Sequence, residues 1–347
     1  MMKETIAVRK GDGSTSQVVV GDVLGTLPDY LPAGKRVIVI TDANVYDLYA
    51  PVIDRYEKIV IGQGEGNKTH ATLLEIYERL LEMEADRGCF ILGFGGGIVT
   101  DIAGFVATTY MRGVRFGFVA TTLLAQVDAS IGGKNGVNVG GYKNMVGTFS
   151  QPGFVLCDPN VLRTLPKREF RAGLAEIVKA GLIADPALFA LFENHFFEDF
   201  SEDGPLLLEA IARAIRVKKQ IVEADEREAG ERRKLNLGHT FAHAIEKSSR
   251  RFLHGEAVAI GTVTAARVSC KLGLLDAALA ERIRTVIERM GFPVDAGVSD
   301  YRLAEALRLD KKKEGDEVAL VLLRGVGDCV IRPVPFDQME TLIAEEE

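Results

Sequence analysis

The stretch CFILGFGGGIVTDIAGF, residues 89–105, decides the fold. Its first part, Cys89–Gly93, is a short apolar run of the kind that forms a buried strand, and it passes through Gly95, Gly96 and Gly97 into an apolar helical run. Glycines let a backbone approach a pyrophosphate closely, and the free N–H groups that open a helix attract an anion. The pattern is not G-x-G-x-x-G, because Ile98 interrupts it, and no acidic residue follows at the usual distance. A tight strand-to-helix turn without a ligand is the plain alternative.

Outward from this stretch the same alternation repeats. Arg36–Thr41, Lys58–Ile61, Val114–Val119 and Phe154–Cys157 read as further strands. Thr69–Glu84 has a helical period, with Leu73, Leu74, Tyr77, Leu80 and Leu81 expected on one side. Strands alternating with helices imply a mostly parallel, Rossmann-like sheet covered by helices. Two polar loops follow strand ends, Thr41–Val45 and Gly64–Lys68, and ligands in such sheets lie at the carboxyl ends of strands. Asp42 and Glu65 in these loops could equally serve as helix caps or turn residues.

Beyond about Asp158 the texture turns helical, with Arg168–Ile183, Leu206–Glu223, His239–Lys247, Glu256–Leu272 and Ala277–Met290, and a late hairpin over Val318–Pro335. The expected organisation is a nucleotide-binding α/β domain over 1–160 and a mainly helical metal- and substrate-binding domain over 161–347.

With 347 residues the chain is long enough for two domains. A net charge of −7 disfavours a nucleic-acid or anionic-membrane partner, so any anionic substrate needs a local concentration of Lys and Arg. The opening MMKETIAVRKGDGS lacks the apolar core of a signal peptide, no run spans a bilayer, and the four cysteines form no CxxC pair. Reduced cysteines and a cytoplasmic enzyme are expected.

Of five histidines, three fall within a short span: His239, His243 and His254. His239 and His243 share one helical face, and neutral imidazoles suit zinc or a similar ion. Glu176 lies in an apolar helical run, where a carboxylate needs a cation or a hydrogen-bonded partner. Glu176 with two of the three histidines makes a three-ligand site with an open position. A Glu176–Lys179 surface pair beside core histidines is the other reading that spacing allows. Lys134 and Lys143, each in a glycine-rich loop, together with Lys218, Arg232 and the run Lys311–Lys313, suit a phosphate or carboxylate. Lys312 and Lys313 equally suit a solvated face.

Six segments taken in order resemble the 3-dehydroquinate synthases, within the sugar phosphate cyclases. They are GGGIVTDIAGFVATTYMRG (95–113), TTLLAQVDASIGGKNGVN (121–138), KNMVGTF (143–149), LRTLPKREFRAGLAEIVK (162–179), LNLGHTFAHAIE (235–246) and HGEAVAIG (254–261). The resemblance implies a reaction in which 3-deoxy-D-arabino-heptulosonate 7-phosphate yields 3-dehydroquinate and phosphate, with NAD and a divalent metal, zinc or cobalt. It implies Glu176, His239 and His254 as metal ligands, with His243 left for substrate or proton transfer. It implies NAD contacts at Asp42, Asn44, Glu65 and Lys68, at Gly96, Gly97 and Asp101, and at Thr121, Thr122 and Thr164, with Lys134 and Lys143 also at the cofactor. Substrate contacts would be Asp128, Lys134, Asn144 and Lys179, then Lys218, Arg232, Asn236, His243 and Lys311. Arg112 resembles a residue that reaches the phosphate across a homodimer interface.

Ala120 stands where Pro is common, Asn135 where Thr is frequent, and Ala242 where Gly is; the Val139–Tyr142 segment also departs from the family pattern. None of these removes a charged group. The substrates of a sister cyclase, sedoheptulose 7-phosphate or glucose 6-phosphate, lack a carboxylate, so a pocket with Lys134, Lys218 and Arg232 argues against them. A polyol dehydrogenase would form net NADH, and a non-catalytic regulator would bind NAD and metal without turnover.

Overall fold

Runs of β-branched and aromatic residues set the N-terminal strands, and their positions decide where a ligand can bind. The computed structural model describes residues 3–140, 142–249, 251–311 and 316–344, with the side chains of 300 and 309–311 outside the described set. The chain forms two compact units, Met1–Pro166 and Lys167–Glu347.

In the N-terminal unit the strands are β1 (Glu4–Arg9), β2 (Thr15–Val20), β3 (Val37–Asp42), β4 (Glu57–Ile61), β5 (Phe90–Gly95), β6 (Arg115–Ala120), β7 (Lys134–Val139), β8 (Tyr142–Phe149) and β9 (Phe154–Cys157). The helices are α1 (Ala43–Ile53), α2 (His70–Glu82) and α3 (Gly97–Thr109). Seven strands make one sheet in the order β1-β2-β9-β6-β5-β3-β4. Only the β1–β2 pairing is antiparallel; every other neighbouring pair is parallel. Strands β5 and β9 are buried along their whole length, as continuous apolar runs in a covered parallel sheet should be. All five strands expected from the sequence lie in this sheet.

The chain leaves β3 for β4 on one side and returns to β5 on the other. The strand order therefore reverses between β3 and β5, the point at which sheets of this kind open a crevice beyond the carboxyl ends of the strands. Asp42 ends β3 there, and Gly95 ends β5.

Two expectations are corrected. Leu74 and Leu81 are exposed; the buried stripe of α2 is Leu73, Ile76 and Leu80, because at about 100° per residue a single helix face is narrower than the apolar run. Lys134 and Lys143 lie on the antiparallel strands β7 and β8 of a separate hairpin, not in open loops. Glycines and polar residues there obscure the strand period. The β1–β2 pair and this hairpin were not anticipated.

The C-terminal unit contains α4 (Lys167–Ala184), α5 (Pro186–Asn194), α6 (Phe197–Glu202), α7 (Gly204–Ala224), α8 (His239–Ser248), α9 (His254–Lys271), α10 (Ala277–Arg289), α11 (Asp300–Lys311) and α12 (Met339–Ile343). The late hairpin is β10 (Glu317–Gly325) with β11 (Asp328–Pro335). Helix α9 is buried over most of its length and packs on α4, α8, α10 and β10. A helix apolar all round belongs at the centre of its domain. Two glycines bring its neighbours close. A Cβ on Gly255 would collide with the Ala172 carbonyl of α4, and one on Gly261 with the Gly238 carbonyl before α8. Among the described residues all four cysteines are free, and no helix is long and apolar enough to cross a membrane.

Gly255→Ala is expected to destabilise the protein by about 1–3 kcal/mol, because backbone atoms cannot yield as a flexible side chain does. The urea midpoint checks this; an unchanged midpoint would show that α4 and α9 are not held this closely.

Candidate active site

Helix α4 carries Glu176 at the middle of its apolar face, and the side chain is almost fully buried. Neither carboxylate oxygen receives a well-formed hydrogen bond, although Lys179 Nζ, one turn on, sits against Oε2. Oε1 faces His239 Nε2 at 3.5 Å and His254 Nε2 at 3.6 Å. One ligand atom from each of the three residues lies within 4.8 Å of the others. These separations are long for hydrogen bonds. Ligands about 2.1 Å from a tetrahedral ion stand roughly 3.4 Å apart, so the three atoms suit a divalent ion between them.

The outer ring nitrogens support this orientation. His239 Nδ1 lies 3.2 Å from the Leu237 carbonyl, and His254 Nδ1 lies 3.2 Å from Glu246 Oε1. Such partners direct the Nε2 lone pairs inward. His243 is one turn along α8, with its ring centroid 6.1 Å from that of His239, outside the trio.

His254 opens α9, and an ion pair fixes that opening. Arg168 binds Glu256 through two nitrogens, each at 2.7 Å, and Glu256 accepts from Leu253 N–H at 2.8 Å. Burial alone would raise the Glu256 carboxyl, but Arg168 and the Leu253 N–H outweigh it and hold it below the ordinary value. Sequence reasoning missed this pair; the available signal was the Glu at the third position of a helix beginning His254-Gly255-Glu256.

Two of the basic residues expected at the site, Lys218 and Arg232, lie on elements packed against α4. Lys218 is buried on α7, and Arg232 and Asn236 stand in the short turn Glu231–Asn236; both elements contact α4. Arg232 is fully buried, with Nη1 donating to the Glu226 carbonyl. Asp225 shapes the loop, accepting from the N–H groups of Ala229, Gly230 and Arg232, and these bonds hold its carboxyl low, the Gly230 bond most of all. Asn236 donates to Glu228 Oε1 at 2.8 Å. Lys311 ends α11, with its side chain outside the described residues, as Lys312 and Lys313 are entirely.

In the N-terminal unit the residues at the strand ends separate into two groups. Some are occupied within the fold. Asp42 caps α1 by accepting from Val45 N–H at 3.0 Å, Thr122 accepts from Ala125 N–H at 3.1 Å, and Thr164 lies 3.0 Å from the Tyr49 hydroxyl. Asn44 is exposed in the first turn of α1. Others have hydrogen-bonding capacity to spare. Gly96 and Gly97 open α3 without a side-chain cap, and the buried Thr121 hydroxyl has no partner. Free N–H groups and an unsatisfied hydroxyl are what a dinucleotide phosphate requires.

Lys68 is buried, donating from Nζ to Asp101 Oδ2 at 2.5 Å and to Asn144 Oδ1 at 2.6 Å. Glu65 accepts from Asn138 Nδ2 at 2.7 Å. Asp128 is half-buried in a π-helical turn over Ala125–Ala129, while Lys134 and Lys143 are exposed. Arg112 is exposed and lies in three consecutive residues of positive φ, Met111, Arg112 and Gly113, a backbone state seldom adopted by non-glycine residues.

The profile of the 3-dehydroquinate synthase N-terminal family matches residues 58–172, and that of the C-terminal family matches 173–313. The chain belongs to the 3-dehydroquinate synthase family. A 3-dehydroquinate synthase of Halorhodospira halophila is 45% identical over 328 residues, covering 92% of this chain and 90% of that protein. ValA, the 2-epi-5-epi-valiolone synthase from Streptomyces hygroscopicus solved with NAD+ and Zn2+, is 30% identical with a TM-score of 0.87, covering 98% of each chain. A 2-deoxy-scyllo-inosose synthase solved with carbaglucose-6-phosphate, NAD+ and Co2+ is 26% identical with a TM-score of 0.86, covering 98% of this chain and 99% of that one. The family is the one that the six sequence segments resemble, and the mostly parallel sheet is the one expected from the strand–helix alternation.

The Arg168–Glu256 pair sets a pH dependence. A depressed carboxyl stabilises the fold above its unfolded value and ceases to do so as pH falls through the folded value. Glu256→Gln is therefore expected to lower the urea midpoint at neutral pH, with the gap from wild type closing below about pH 4.5, the ordinary Glu value. A gap independent of pH would contradict the ion-pair account.

Proposed function

We propose that the protein converts 3-deoxy-D-arabino-heptulosonate 7-phosphate to 3-dehydroquinate and phosphate, a lyase reaction dependent on NAD and a divalent metal. In a chain of this family, the observation that carries the reading is the convergence of Glu176, His239 and His254 beside a buried lysine. The NAD+ with Zn2+ or Co2+ in the two cyclase structures supports the same cofactors here.

Glu176, His239 and His254 would hold the metal, and the crevice between β3 and β5 would hold NAD. When bound, these supply a Lewis acid beside a substrate hydroxyl and a reversible hydride acceptor. The chain's own residues do the rest. Asp42, Asn44, Glu65, Lys68 and Asp101 position the dinucleotide, while the α3 N-terminus with Thr121 receives its phosphates; Thr122, Thr164, Lys134 and Lys143 complete the NAD site. Lys134 and Arg232 pair with the substrate carboxylate, and Lys218, Asp128 and Asn236 orient its hydroxyls. Asn144 and Lys311 bind the phosphate, joined by Arg112 from a second copy in a homodimer. Lys179 and His243 hold or move protons where negative charge develops on substrate oxygen. A substrate hydroxyl oxidised to a ketone acidifies the neighbouring C–H, phosphate leaves by elimination, the ketone is then reduced again so that no oxidant is consumed overall, and the opened ring closes by an intramolecular aldol step. No step consumes a second metabolite, which suits a biosynthetic enzyme of the cytoplasm with a small sugar phosphate as its partner.

Phosphate release from the heptulosonate phosphate, with NAD and zinc or cobalt, is expected to proceed without net NADH and to stop on chelation. Release only from sedoheptulose 7-phosphate would assign a sister cyclase; net NADH would assign a dehydrogenase. His254→Ala is expected to lose bound metal, read by metal analysis of the purified protein, together with activity. Full metal occupancy with retained turnover would overturn the ligand assignment.

A further inference from the structure

Asn138 stands at the irregular point of the β7–β8 hairpin. Val137 pairs with Val146, but Val139 pairs with Tyr142, so residues 143–145 bulge opposite Asn138. Bulges of this kind re-aim side chains beside functional sites. Within the bulge, Asn144 has a φ of +55°, a left-handed conformation that Asn adopts more readily than most residues and that local hydrogen bonds support.

Asn138 supplies that support and also reaches in the other direction. Its Oδ1 accepts from Asn144 N–H at 2.9 Å, while its Nδ2 donates to Glu65 Oε1 at 2.7 Å. Its own N–H donates to the Lys68 carbonyl at 2.8 Å, and it bridges Thr69 in parallel register. Lys68 closes the circuit by binding Asp101 and Asn144 together. One amide thus fixes a residue assigned above to the cofactor, Glu65, and one assigned to the substrate phosphate, Asn144.

We propose that Asn138 is a positioning residue that ties the cofactor side of the N-terminal unit to its phosphate side. The proposal rests on the functional reading above. Its oxygen sets the backbone of Asn144, and its amide hydrogens set the carboxylate of Glu65. The two halves of the side chain therefore serve different ligands.

That division can be measured on the full-length, zinc-loaded protein. NAD affinity is read by calorimetry, and KM and kcat by phosphate release. Asn138→Ala is expected to weaken NAD binding and to raise the substrate KM, each by roughly tenfold or more, with a smaller fall in kcat. Asn138→Asp keeps an oxygen for Asn144 N–H but sets a carboxylate against Glu65. It is expected to weaken NAD binding as the alanine variant does while keeping the KM within about threefold of wild type. Both constants near wild type in Asn138→Ala overturn the proposal. Equal losses of both constants in the two variants also overturn it, since a role in folding alone would not separate them. If Asn138→Ala does not fold, Asn138→Asp against wild type still decides, through the split between NAD affinity and KM. A wild-type protein that binds NAD but releases no phosphate would overturn the functional reading instead, and NAD affinity in the variants would still show whether Asn138 sets Glu65.

Discussion

A carboxylate buried inside an apolar helix is the constraint that organises the C-terminal unit. Taking a carboxylate such as that of Glu176 out of water with no positive charge close by costs several kcal/mol. Lys179 meets one oxygen; the other faces two imidazole nitrogens on two further helices. For that meeting α9 has to lie against both α4 and the start of α8, which explains glycine at 255 and 261. The Arg168–Glu256 pair then holds the first turn of α9, so that His254 keeps its place. Packing, capping and site chemistry are here one problem.

The N-terminal unit answers a different constraint. Its parallel strands place every carboxyl end at one rim of the sheet, and the reversal between β3 and β5 parts the connections there. Asp42 caps α1 through its Oδ1, whereas the start of α3 has no side-chain cap and the Thr121 hydroxyl is left with unmet hydrogen-bonding capacity. Polar groups left unmet at a buried rim are costly unless a ligand meets them, and they concentrate where the glycine-rich stretch predicted.

The sequence was most legible where a pattern is local. Strands such as Phe154–Cys157 and helices such as Ala277–Arg289 follow from apolar runs and period. The spacing of His239 and His243 put both on one helix face, but it could not choose between them, because the choice depends on where His254 arrives from another helix. The β7–β8 hairpin was hidden for a related reason. Its pairing is non-local, its glycines and lysines carry no strand signal, and much of β8 is exposed, so no apolar alternation marks it. Asn138 and Glu246 were missed because each acts through residues on other elements, Asn138 through Glu65 and Asn144, and Glu246 through His254 at the start of the next helix.

The two imidazoles of the trio are held unequally, and the inequality bears on chemistry. His239 rests on a neutral carbonyl, while His254 rests on the carboxylate of Glu246. A carboxylate behind an imidazole raises its basicity as a ligand more than a carbonyl does. Lys179 acts in the opposite sense: by taking Oε2 of Glu176 it leaves Oε1 as the oxygen turned toward both histidines. One carboxylate oxygen and two nitrogens would give an ion three protein donors, one fewer than a chelating carboxylate would supply. The lysine beside the carboxylate is thus as much a part of the site's openness as of its charge balance.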